Sequence, residues 1–371
     1  MSETSPLCGC LLRQGSVRAI ACLAVAALSA LQPVAAREVV SLPCADADKE
    51  CARRAMKHHG ATDVASWQAM LALPAAERIA PAPPQLVEYI TLDNIANGYP
   101  ERPRAARLDA GLLADVKAAI AELPAAIWAL FDERLVGVYF VEGLGGTGYT
   151  EYVFDAQGRP VKGFIVLDAA VLAGQRANAW ATWKENTPFA PGTGYRLEAR
   201  IEVDGNDNRR NAIQYILLHE LGHVLSIGAD IHPPWNLSPK QIDAAAKYPF
   251  FDLSWTIDRA ADKYRSRFDA NFPQRASTVY YFGAKLAAAD MLPAYVSLKR
   301  TNFPSLYAAT VPGDDFAESF ASYVHVVLMR RPWQVTISRG GKPVDNFRAC
   351  WGEPRCADKQ RMLERLVRPS S

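Results

Sequence analysis

"NAIQYILLHELGHVLSIGADIH", residues 211–232, decides how the rest of the chain is read. Within it His219, Glu220 and His223 form a His-Glu-x-x-His pattern, in a chain with only 6 histidines. On a helix, residues four apart share a face. His219 and His223 can therefore present their imidazoles to one metal ion. Glu220 is offset by one position, so its carboxylate reaches toward a water on that ion rather than toward the ion. Zinc lowers the pKa of such a water to about 7, and a neighbouring glutamate can take its proton as it attacks a carbonyl. Each residue type thus has a task at that spacing. Ile216, Leu217, Leu218, Leu221, Val224 and Leu225 would bury the helix around the motif. Gly228 is a natural stop, and Asn206 or Asp207 a natural cap, for a helix over about 208–227.

Outward from the motif the pattern changes. In 195–203, Tyr195, Leu197, Ala199, Ile201 and Val203 alternate with Arg196, Glu198, Arg200 and Glu202. Strict period two with charges on one face predicts a half-exposed strand, able to align an extended peptide by backbone pairing. Residues 134–143 and 148–168 supply further strands, the latter turning at "DAQGRP", and 86–95 reads as a strand or extended entry. Residues 109–132 have helical period, broken near Pro124. Downstream, 230–239 must be loop, 241–250 and 254–272 read as helices, and 275–286 is ambiguous. "DDFAESFASYVHVVLMR" (314–330) is a second clear helix, capped by Asp314 or Asp315, and 358–367 an amphipathic one.

Lys+Arg is 41 and Asp+Glu is 39, so nothing in the charge points to nucleic acid or a membrane surface as partner. Half of the 371 residues are apolar, ample for a large core. Arg13 and Arg18 precede an apolar run at 19–31, and small residues follow up to Ala36. That is a secretory signal peptide pattern, with cleavage expected after Ala36. The expected organisation is signal 1–36, an N-terminal helical segment with a Pro-rich linker 37–85, a catalytic region 86–330 (sheet-rich 86–205, helical 206–330), and a tail 331–371. Cys8, Cys10 and Cys22 would leave with the signal. Cys44, Cys51, Cys350 and Cys356 would remain, an even count that suggests disulfides in an exported chain. The local pairs Cys44–Cys51 and Cys350–Cys356 are the first choice, and a staple between the chain's ends is the alternative. No membrane association is expected of the mature chain.

A zinc site open to catalysis needs a third protein ligand. His232, nine residues beyond His223, is one candidate, Asp230 a second and Glu318 in "DDFAESFA" a third. The metzincin spacing fails, because Ser226 and Ala229 stand where its Gly and His belong.

HELGH with a downstream "DDFAESFA" resembles the gluzincin branch of zinc metallopeptidases, in which a glutamate from a later helix completes the metal site. The glutamate-helix motif is similar to that of the anthrax lethal factor catalytic domain. The resemblance covers roughly 195–330. Ala317 and Ser322 depart from the thermolysin-type pattern, which has Asn and often Asp at those positions. It implies an α+β, zincin-like fold with a small twisted sheet above an active-site helix and a glutamate helix. It implies one Zn2+ ion held by His219, His223 and Glu318, with Glu220 as general base and a peptide or protein as substrate. It also implies a Tyr or His that stabilises the oxyanion: Tyr307 first, with His325 and Tyr323 as other choices. The rival expectations are a zinc-binding exported protein without proteolytic activity and an amidase acting on cell-wall peptides. His58 and His59 have no ligand partners nearby and read as solvated helix residues.

Overall fold

The computed structural model describes residues 42–368. The expected signal segment, 1–36, lies outside the described residues. In chain order come α1 (Lys49–Met56), β1 (Ile79–Pro81), α2 (Pro84–Asn97), β2 (Arg104–Ala105), α3 (Ala110–Ala121) and β3 (Leu135–Glu142). Next are β4 (Gly148–Phe154), β5 (Pro160–Asp168), α4 (Ala177–Asn186), β6 (Tyr195–Arg200) and α5 (Arg209–Ser226). The chain continues with β7 (Trp255–Asp258), β8 (Lys263–Ser266), α6 (Met291–Leu298), α7 (Pro312–Tyr323), β9 (Gln334–Arg339), β10 (Lys342–Arg348) and α8 (Ala357–Val367), with shorter helical turns between. The class is mixed α+β with small sheets.

The main sheet has the order β1-β3-β5-β4, with β2 paired to β3. β1, β3 and β5 run parallel, while β4 is antiparallel to β5 and forms an edge. Both faces are covered. Val138, Phe140, Ile165 and Leu167 face a large core that includes Ile213, Leu217, Leu221, Phe316 and Phe320 of α5 and α7. Val136, Tyr139, Val141, Phe164 and Val166 face a second core with Leu86 and Ile90 of α2. Alternate residues of one strand thus serve two cores from Val138 onward, and a register shift between Leu135 and Gly137 puts Val136 in the second. A second sheet, β10-β9-β6, joins the tail to β6, and β7-β8 is a hairpin. Among the described residues the disulfides are the two local ones, Cys44–Cys51 and Cys350–Cys356. Among the described residues no helix is long and apolar enough to cross a membrane.

Several expectations are corrected. Residues 86–95 are helical, not extended: Pro84 opens α2, Gly98 closes it at φ +82°, and most of its residues are buried, which hides helical periodicity. Residues 254–272 are not helical but hold the β7-β8 hairpin. The Asp258 side chain accepts from the Ala261 N–H in its turn, and Asp262 takes φ +52°. Residues 241–250 form turns rather than a helix. The cap of α5 is Asn208, whose side chain accepts from the Asn211 N–H. α1 ends at Met56, so neither His58 nor His59 is helical. His58 is exposed at φ +68°, while His59 is mostly buried and accepts from the Ala61 N–H.

Candidate metal centre

α5 is buried along nearly its whole length and carries His219, Glu220 and His223 into the interior. α7 crosses it at Gly222. A Cβ built on Gly222 would lie 2.7 Å from the Ala317 Cα, so only glycine lets the two helices approach this closely. The crossing brings the first turns of α7 over the histidines. Pro312 opens α7 at its first position, so Asp314 and Asp315 lie inside the first turn instead of capping it.

Nε2 of His219 and Nε2 of His223 lie 3.2 Å apart. Asp314 Oδ1 is 3.8 Å from the former and 3.5 Å from the latter. These three atoms form a group that could hold a metal ion, all within 4.8 Å of one another. Two ligands of a tetrahedral zinc with bonds of about 2.0–2.1 Å sit about 3.3 Å apart, so the donor spacing and the imidazole-plus-carboxylate chemistry fit such an ion. Thr310 Oγ1 lies 3.1 Å from Asp314 Oδ2 and steadies the carboxylate from behind. Burial disfavours the His223 imidazolium, but Asp314, Glu220 and Glu318 outweigh it and raise the pKa. These carboxylates therefore favour positive charge at His223.

Glu318 stands elsewhere. Its Oε1 is 3.0 Å from His219 Nδ1, the ring nitrogen other than the one near His223 and Asp314. The same oxygen accepts from Lys184 Nζ at 2.6 Å, and Oε2 accepts from Ser305 Oγ at 2.7 Å. Glu318 is fully buried. Burial alone would raise its pKa, but Lys184 and His219 hold it well below the usual carboxylate range. The structure thus brings Glu318 to the back of His219 and brings Asp314 to the shared face.

Glu220 is buried beside the pair, and Thr150 Oγ1 on edge strand β4 donates to its Oε2 at 2.8 Å. β4, rather than β6, is therefore the strand that touches the motif. β6 pairs with β9 in the other sheet. The Tyr307 ring stacks on His219 at 5.4 Å between centroids and 27° between planes, so it borders the site. Trp235, stacked on Tyr152 at 3.8 Å, stands 5.7 Å from the His223 ring on the other side.

The other candidates do not join the cluster. Tyr323 packs edge-on to Trp351. His325 Nε2 is 2.7 Å from the Ile201 carbonyl oxygen, and burial lowers its pKa to about 4. His232 comes close to the region, for its ring and that of His223 flank Gly313. Its Nδ1 is committed to the Pro233 carbonyl at 2.8 Å, and burial lowers its pKa to about 4. The sequence reading missed Asp314, Thr150 and Lys184. Asp314 carried a usable signal, since it lies one helical turn before Glu318 and so shares its face.

No family model matches the chain, and no curated protein or solved structure matches it.

Proposed function

We propose that the protein is an exported zinc-dependent metallopeptidase of zincin-like architecture, with the metal held by His219, His223 and Asp314. The observation that carries this reading is the convergence of two imidazole Nε2 atoms and one carboxylate oxygen beside a buried glutamate. Asp314 replaces Glu318 in the ligand set expected from the resemblance, and Glu318 becomes the partner that orients His219. When bound, the zinc ion would polarise a peptide carbonyl and lower the pKa of water.

The chain's own residues supply the remainder. Glu220 accepts a proton from the attacking water and returns it to the leaving amine. Thr150 fixes the Glu220 carboxylate by donating to Oε2. β4 is an antiparallel edge strand, bridged to Asp63 only at Phe154, and it is the strand along which an extended peptide would lie. Tyr307, stacked on His219, borders the place where charge develops on the carbonyl oxygen and is the candidate donor to it. The two disulfides suit an oxidising compartment, which supports export.

Glu220→Gln preserves size and polarity but cannot take a proton. Zinc content should be unchanged while cleavage of a peptide library falls by at least ~100-fold, the scale of losing general-base catalysis. Equal cleavage by a zinc-loaded Gln variant would refute the role of Glu220.

A further inference from the structure

Lys184 is a buried ammonium that the proposed reaction does not use. Its side chain is 5% exposed, and its Glu318 partner is 0% exposed. Taking such a pair out of water is costly, and a pair of apolar residues of similar volume is often as stable or more so. Stability alone therefore does not account for a lysine here.

The geometry around it is specific. On one side Nζ donates to Glu318 Oε1 at 2.6 Å, and that oxygen lies 3.0 Å from His219 Nδ1. On another side Nζ lies 4.4 Å from the centre of the Tyr307 ring, which is the ring stacked on the face of His219. Behind it Glu185 Oε1 is 3.9 Å away. The second Glu185 oxygen is fixed by the hydroxyls of Tyr280 at 2.9 Å and Tyr295 at 2.7 Å. Lys184 therefore grips both groups that confine the His219 imidazole, the carboxylate at its edge and the phenol on its face.

We propose that Lys184 is a positioning residue for the metal centre: it holds Glu318 against Nδ1 of His219, so that Nε2 faces His223 and Asp314 before an ion arrives. With the Glu318 oxygen 3.0 Å from Nδ1, that edge of the ring is occupied, and Nε2 is the nitrogen left facing His223 and Asp314. Without Lys184, Glu318 is a buried carboxylate with no cation. It then leaves its place, and His219 loses its alignment. The inference rests on the metal reading given above and extends it to a residue on α4, a helix that carries no ligand.

The test is a double-mutant cycle on the full mature chain, read as the zinc dissociation constant by chelator competition, with the thermal midpoint of metal-free protein measured in parallel. Lys184→Met and Glu318→Gln should each weaken zinc binding by about 10–100-fold, the usual scale for losing a partner of a metal-bound histidine. In the Glu318→Gln background, Lys184→Met should weaken binding no further, because its effect passes through Glu318. A merely structural lysine would lower the thermal midpoint but leave the zinc constant of the folded protein unchanged. Wild-type affinity in Lys184→Met, or losses that multiply in the double variant, would overturn the proposal. If Lys184→Met alone does not fold, the comparison of Glu318→Gln with the double variant decides, since no carboxylate is then stranded against His219 and Glu185 keeps the Tyr280 and Tyr295 hydroxyls. A further loss of affinity there overturns the proposal. A wild-type chain that binds no zinc would overturn the metal reading and this inference with it. Wild-type binding with no effect at Lys184 would overturn the inference alone.

Discussion

Gly222→Ala probes the helix crossing on which the site depends. The added Cβ would lie 2.7 Å from Ala317 Cα, 3.1 Å from Ala317 O and 3.3 Å from Ala317 Cβ. The first two are backbone atoms that no rotamer change can move aside. Carbon atoms rest at about 3.5–4.0 Å, so α5 and α7 must separate by roughly 1 Å. Such overpacking costs about 1–3 kcal/mol. Against it, Ala in a helix interior gains about 1 kcal/mol over Gly. The net loss of stability should be small, about 0–2 kcal/mol. The effect on the site should be larger. Asp314 rides on α7, and a shift of about 1 Å far exceeds the ~0.2 Å tolerance of metal–ligand distances. Urea denaturation of the metal-free protein should show the small loss, and chelator competition should show zinc affinity reduced at least ~10-fold. A variant stabilised by about 1 kcal/mol with wild-type zinc affinity would refute the close crossing.

Two other perturbations follow from buried charges. Asp93 on α2 has its pKa raised to about 7, chiefly by burial and then by the Glu151 charge on β4. Its folded value lies above the unfolded value of about 3.9, so its contribution is full below about pH 4 and is lost as pH rises through about 7. Asp93→Asn should therefore gain on wild type by a few kcal/mol between pH 4 and pH 8 in denaturation experiments, and a pH-independent difference would refute this. Lys359 of α8 pairs with Asp315, both fully buried, and Trp255 Nε1 also donates to Asp315 at 3.0 Å. Lys359→Met should cost about 3–5 kcal/mol by stranding the carboxylate, and adding Asp315→Asn should recover part of that loss in chemical denaturation. Strictly additive losses would contradict the pairing.

What the sequence disclosed was whatever is local. The spacing of His219, Glu220 and His223 requires only a helix, and α5 provides it over almost the range expected. Alternation in 195–203 marked β6 over Tyr195–Arg200, with Leu197 and Ala199 inside and Arg196 and Glu198 outside, but beyond the strand it fails, since Glu202 is buried and Val203 exposed. The same alternation could not say which strand would meet the motif on α5, and that strand proved to be β4. α2 was misread because a helix buried on most sides shows no 3.6-residue rhythm. Asp314 was read as a cap because Asp before an apolar run is the usual capping signal. Pro312 shifts the start of α7 upstream and frees that carboxylate for the cleft. Thr150 and Lys184 carried no local signal at all, since their partners lie on distant segments that only tertiary packing brings near.

The central claim is the ligand set, and zinc affinity in two single variants tests it most directly. Wild-type protein should bind one zinc per chain, Asp314→Ala should lose it, and Glu318→Gln should keep it with affinity reduced by about 10–100-fold. Zinc retained by Asp314→Ala and absent from Glu318→Gln would contradict the account, and so would a wild-type chain that takes up no zinc.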